Sequence, residues 1–81
     1  MLFTYRFDVS TLSSIEKEQF ENEAKHFAFM VTVGEVSEKG AMYYDVFFEH
    51  ENDIPLFLNK YKSLKYIDYS HIPYEYWKYP F

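Results

Sequence analysis

Apolar and polar positions alternate along residues 2–9, LFTYRFDV. Phe3, Tyr5, Phe7 and Val9 fall on one side, and Thr4, Arg6 and Asp8 on the other. A period of two sends neighbouring side chains to opposite faces of an extended chain, so this stretch predicts a half-buried strand. The period then changes. Ile15, Phe20, Ala24 and Phe27 recur at roughly helical spacing, Ser13 and Glu16 form an S-x-x-E capping box, and Glu21 stands one turn before Lys25. A helix is expected over about 13–27. Alternation returns in FAFMVTVGEV, with Phe29, Val31 and Val33 against Met30 and Thr32. SEKG at 37–40 predicts a turn in which Gly40 is free to take positive φ. In AMYYDVFFEH, Met42, Tyr44, Val46 and Phe48 oppose Tyr43, Asp45, Phe47 and Glu49, and the two strands predict a hairpin.

A second helix is expected from Asn52 or Asp53, either of which can cap it, with Pro55 in the first turn. Ile54, Phe57, Leu58, Tyr61 and Leu64 supply its apolar stripe, and Lys60, Lys62 and Lys65 suit its C-terminus. KYIDYSHI predicts a fourth strand, with Ile67 and Tyr69 on one side and Asp68 and Ser70 on the other, ended by Pro73. The order β-α-β-β-α-β predicts a ferredoxin-like α+β sandwich: an antiparallel four-stranded sheet with two helices on one face, its first and third strands central. Residues 1–72 form this domain, and residues 73–81, PYEYWKYPF, remain as an aromatic C-terminal arm. The second sheet face is open unless something covers it. It is expected to carry Thr4, Arg6, Asp8, Tyr43, Asp45, Phe47 and Glu49, although a one-residue slip in the third strand would exchange that strand's two sets.

Composition narrows the function. The 81 residues are 48% hydrophobic and 23% aromatic with only 2 Gly, which argues against disorder. There is no cysteine, which excludes disulfides and thiolate metal sites. Arg6 and Asp8 interrupt the first apolar stretch, so neither a secretory signal nor a membrane span is expected, and the chain reads as cytoplasmic. A net charge of −5 repels phosphate backbones and favours basic partners.

Catalytic chemistry finds little support. There is no G-x-S-x-G elbow and no phosphate-binding glycine loop, and His26, His50 and His71 have no i,i+4 spacing. EHENDI clusters Glu49, His50, Glu51 and Asp53 but lacks the glycine and distal glutamate of an EF-hand, and reads as a solvated loop with a helix cap. No catalytic residue, metal site or cofactor is expected, and the chain is not read as an enzyme. KGAMYYDVF resembles the aromatic third-strand motif of RNA-recognition domains: Lys39, Gly40 and Tyr43 match, while Ala41 and Met42 depart. That resemblance implies single-stranded RNA binding through Tyr43 and Phe47, against which Asp45 and Glu49 add repulsion. RFDVST resembles the strand-end aspartate region of the small dimeric CRISPR-associated ferredoxin-like subunit. This implies a metal-dependent nuclease with Asp8 as a metal ligand, yet the helix EKEQFENEAK is acidic where that family's is basic. Charge favours the plainer accounts, in which nucleic acid is not the partner, the sheet face is solvated or self-covered, and Asp8 pairs with Arg6.

The expectation is therefore a small acidic, non-enzymatic protein-binding module, an inhibitor or modulator of a host protein encoded by a phage or mobile element. Its contact residues are expected to be Tyr74, Tyr76, Trp77, Tyr79 and Phe81 in the arm, then Tyr43 and Phe47 on the sheet, because Tyr and Trp most often anchor interfaces. Glu16, Glu18, Glu21 and Glu23 would offer an acidic surface to a basic or nucleic-acid-binding protein. The arm is expected to lie on the open sheet face, in its own chain or in a second copy within a homodimer.

Overall fold

The computed structural model describes residues 2–78. Strand β1 (Phe3–Asp8) leads into helix α1 (Ser14–Phe27). The hairpin strands β2 (Met30–Ser37) and β3 (Gly40–Phe48) follow, then helix α2 (Asp53–Lys60), strand β4 (Tyr66–Asp68) and one 3-10 turn, Tyr74–Tyr76. The sheet order is β2-β3-β1-β4 with every neighbouring pair antiparallel, so β1 and β3 are central as the pattern predicted. The fold is α+β, a four-stranded antiparallel sheet with two helices. Among the described residues, no helix is long and apolar enough to cross a membrane.

Both helices pack on the face that carries Phe7, Tyr44, Val46 and Phe48, all buried. Phe7 joins the two helices: its ring lies 5.3 Å from Phe20 of α1 and 5.5 Å from Phe57 of α2. Each such ring removed from water contributes about 1.5–3 kcal/mol. The third strand thus faces inward through residues 44, 46 and 48, and the register slip that would have exchanged its faces does not occur.

Local signals decided α1. Glu16 N–H donates to the Ser13 hydroxyl at 3.2 Å, and Ser13 N–H donates to the Glu16 carboxylate at 3.0 Å, closing the capping box. Its buried face differs from expectation at one position: Ile15 is 70% exposed, and Lys17 is buried instead. Residues 17, 20, 24 and 27 lie on one side of a 3.6-residue helix, and Ile15 is turned about 200° from Lys17. Lys17 buries its stem and carries its ammonium out to the Lys39 carbonyl at 2.9 Å.

Three further differences have physical causes. Helix α2 ends at Lys60 rather than running on to Leu64, because Tyr61 leaves helical geometry (φ −121, ψ 33) and donates to the Leu58 carbonyl at 3.2 Å. Leu64 still reaches the core through a following turn. Asn52 takes helical dihedrals and makes no side-chain cap. At the hairpin end of β3, alternation breaks: Ala41 enters the core, whereas Met42 is half-buried with its sulfur near the Ser37 hydroxyl. Across the ladder at this point sits Glu35, which is left out of the pairing between Gly34–Tyr43 and Val36–Ala41 and takes the left-handed φ of 50°.

Candidate functional site: an aromatic face closed by the arm

The sheet face away from the helices is covered by the chain's own C-terminal segment. Its centre is set by register. Arg6 of β1 stands directly opposite Asp45 of β3, so their side chains emerge on the same face within reach of one another. The pair is bidentate: Arg6 Nε donates to Asp45 Oδ1 at 2.7 Å, and Nη2 donates to Oδ2 at 2.9 Å. The remaining nitrogen, Nη1, donates to the Lys78 carbonyl at 2.7 Å. Both residues are deeply buried, Arg6 at 5% and Asp45 at 6% exposure. Hydrogen bonding to Asp45 raises the Arg6 pKa, so the guanidinium stays charged although burial opposes it.

Aromatic rings wall this ion pair. The guanidinium carbon lies 4.0 Å from the Tyr43 ring centroid, 5.2 Å from Tyr69 and 5.9 Å from Trp77, distances at which a ring quadrupole attracts a cation. Tyr43 in turn rests against Gly34 of β2. A Cβ at Gly34 would collide with the Tyr43 ring, so the close approach requires glycine there. Burial raises the Tyr43 pKa above that of an ordinary tyrosine.

The arm reaches this face by a hydrogen-bonded route. Tyr69 N–H donates to the Thr4 carbonyl at 2.8 Å, and Thr4 N–H donates to the Ser70 hydroxyl at 3.1 Å, extending the β1–β4 pairing beyond Asp68. The Trp77 indole N–H donates to the Ile72 carbonyl at 2.8 Å, folding the arm back on itself. Trp77 then stacks on Tyr69 (5.2 Å, 19°), touches Tyr74 (5.0 Å) and faces Phe47 (6.2 Å). The Tyr69 hydroxyl donates to the Lys78 carbonyl at 2.6 Å, so that one carbonyl serves both Tyr69 and Arg6. Thr4, Arg6, Asp45 and Tyr69 are buried as a result.

The expected contact residues divide accordingly. Phe47, Trp77 and Tyr43 are half-buried parts of one assembly. Tyr74 and Tyr76 project from it at 79% and 65% exposure. Met30, directly across the ladder from Phe47 and itself exposed, extends the apolar surface onto β2. Tyr79 and Phe81 lie outside the described residues. The face on which the RNA-binding alternative would stack bases is occupied by the arm.

The four helix glutamates differ in their local partners. Glu16 is spent in the capping box, and Glu21 pairs with Lys25 at 3.1 Å. Glu23 pairs with Lys60 and accepts from the Tyr61 hydroxyl at 2.8 Å. Those hydrogen bonds hold the Glu23 carboxyl below its ordinary range, while burial and the same contact push Tyr61 up to about 12. Glu18 is exposed. Asp8 does not pair with Arg6, whose fork is committed to Asp45; it accepts instead from the Ser10 backbone and hydroxyl at 3.0 and 2.6 Å, closing the turn after β1. Among the described residues, no group of three or more His, Asp or Glu is placed to hold a metal ion.

Sequence reasoning missed Tyr69, Gly34 and the Arg6–Asp45 pair. The signal for the last was partly present, since Arg6 is the one cation expected on that face and Asp45 is among its three carboxylates, on the adjacent central strand. No protein-family model matches this chain, and neither a curated protein nor a solved structure matches it significantly.

Proposed function

We propose that the chain is a small non-enzymatic protein-binding module whose contact surface is the aromatic face completed by its own arm. The observation that carries this reading is the contrast within the arm. Trp77 is anchored by a hydrogen bond and three ring contacts, while Tyr74 and Tyr76 beside it remain exposed. A fixed platform with outward tyrosines presents large apolar area at low entropic cost, which is how interface hot spots are built. We read the β2-β3-β1-β4 order as a ferredoxin-like sandwich serving as the rigid base. The small size and net charge of −5 support the fuller form of the proposal, in which a phage or mobile element encodes the module to modulate a basic host protein inside the cell. The contacts that Trp77 and Lys78 make within their own chain support a foreign protein as the partner over the alternative of a second copy in a homodimer.

Retention from a host lysate on immobilised protein tests this, with the variant Tyr74→Ala/Tyr76→Ala alongside. Trp77 keeps its indole hydrogen bond and its contacts to Tyr69 and Phe47 when both exposed tyrosines are truncated, so the platform stays in place, and loss of a hot-spot pair weakens binding by roughly thirtyfold or more. Equal retention by both proteins, or none by the parent, would defeat the proposal.

A further inference from the structure

A second surface lies around the β4 edge from the aromatic face. Phe3 and Tyr5 of β1 with Ile54 and Leu58 of α2 floor a groove of about 420 Å³, and the carboxylates of Glu51 and Asp68 stand at its rim. This volume lies within the range of roughly 300–1,000 Å³ typical of ligand sites. Its two components differ in kind: the floor is apolar and the rim is anionic. Among the described residues, no lysine or arginine lies within ion-pair distance of Glu51 or Asp68. Asp68 is held in place, since it accepts from Ser70 N–H at 2.8 Å and stands directly across the ladder from Tyr5. Burial opposes its ionisation, but Ser70, Tyr5 and nearby His71 together outweigh it and keep the carboxyl below the ordinary range.

An aliphatic stem ending in a cation matches such a site. The methylenes lie against the apolar floor and the charged head reaches the rim, which is how lysine and arginine side chains divide themselves between apolar surface and water. Position favours a side chain carried by a protein. His71 lines the groove, while the carbonyl of its neighbour Ile72 receives the Trp77 indole N–H on the aromatic face. A partner segment crossing this one turn meets both surfaces.

We infer that the groove between β1, β4 and α2 receives a lysine or arginine side chain of the partner protein, an inference that rests on the protein-binding reading above. The complementarity is of charge as well as shape, with two carboxylates on a chain of net charge −5.

The test uses the whole protein and the probe peptide acetyl-Ala-Lys-Ala-amide. Its control places norleucine at the centre, which keeps the stem and removes the charge. Binding is followed by NMR shifts at Tyr5, Ile54 and Leu58, at pH 7.5 and low salt. The lysine peptide is expected to bind about fivefold more tightly than the norleucine peptide, as befits partly exposed ion pairs. That preference should vanish in Glu51→Gln/Asp68→Asn while norleucine binding persists. Equal affinity of the two peptides for the parent, or shifts absent from the groove, overturns the inference. n-Butylammonium binding as tightly as the lysine peptide also overturns it, because the site would then take a free amine. Neither rim substitution touches Trp77. A protein that captures a partner through Tyr74 and Tyr76 yet shows no lysine preference here therefore defeats this inference alone.

Discussion

Asp45→Ala is expected to destabilise the protein by about 3–5 kcal/mol, the usual cost of stranding one half of a buried ion pair. Asp45 takes both N–H groups on one edge of the Arg6 fork. With the carboxylate gone, the guanidinium keeps only the Lys78 carbonyl and the rings around it. Those rings attract the charge but accept no strong hydrogen bond. Urea unfolding measures the loss, and a shifted midpoint with an unchanged slope marks it as one of stability. The chain contains a single Trp, Trp77, so its fluorescence reports the arm in the same experiment. A red shift before the main transition is expected, as the arm lifts from an uncompensated charge. The double variant Arg6→Met/Asp45→Leu separates charge from packing. It should recover most of the stability, since apolar replacement of a buried pair is often neutral or better, but it still loses the arm's bond to Arg6. A cost below about 1 kcal/mol for Asp45→Ala would mean that the pair behaves as an exposed one.

Phe57→Ala carries a comparable penalty, about 3–5 kcal/mol, on the opposite face. Phe57 is fully buried, with ring centroids of Tyr61, Phe20, Phe7 and Phe48 at 4.9, 5.3, 5.5 and 5.7 Å. Removing it opens a cavity between both helices and the sheet. Helix α2 spans only 8 residues, too few to be helical without packing. Amide exchange should therefore accelerate across Asp53–Lys60 more than across α1. The fluorescence of the folded fraction should be unchanged, because Trp77 lies on the other side of the sheet. Either substitution consumes a large part of the 5–15 kcal/mol typical of a domain. Uniform acceleration of exchange, with the indole environment disturbed as well, would mean that the two faces are not energetically distinct.

Much of the scaffold was legible because its signals are local. The alternation of LFTYRFDV, the Ser13–Glu16 box and the Gly40 turn each act within a few residues, and each forms as read. The central placement of the first and third strands followed from element order alone. What stayed hidden depends on contacts far apart in sequence. Arg6 and Asp45 are 39 residues apart, and Arg6 and Lys78 are 72 apart. No local window shows that one carbonyl in the arm will close a fork built by two strands. Ile15 misled because a hydrophobic residue near a helix start was counted into a stripe it does not share. Met42 misled because strict alternation assumes a regular ladder, and the ladder is unpaired at Met42, across from Glu35 at φ 50. The arm's aromatic pattern and the sheet face it covers were visible, but the part played by Tyr69 was not, since Tyr69 reads from sequence as an ordinary strand residue.

Trp77 covers the sheet of its own chain. Nuclear Overhauser contacts in a mixture of isotope-labelled and unlabelled protein test it most directly. The indole should show contacts to the rings of Tyr69 and Phe47, whose centroids lie 5.2 and 6.2 Å away, within labelled chains, and none in the spectrum filtered for contacts between labelled and unlabelled copies. Contacts in the filtered spectrum, or their absence from both, would contradict it.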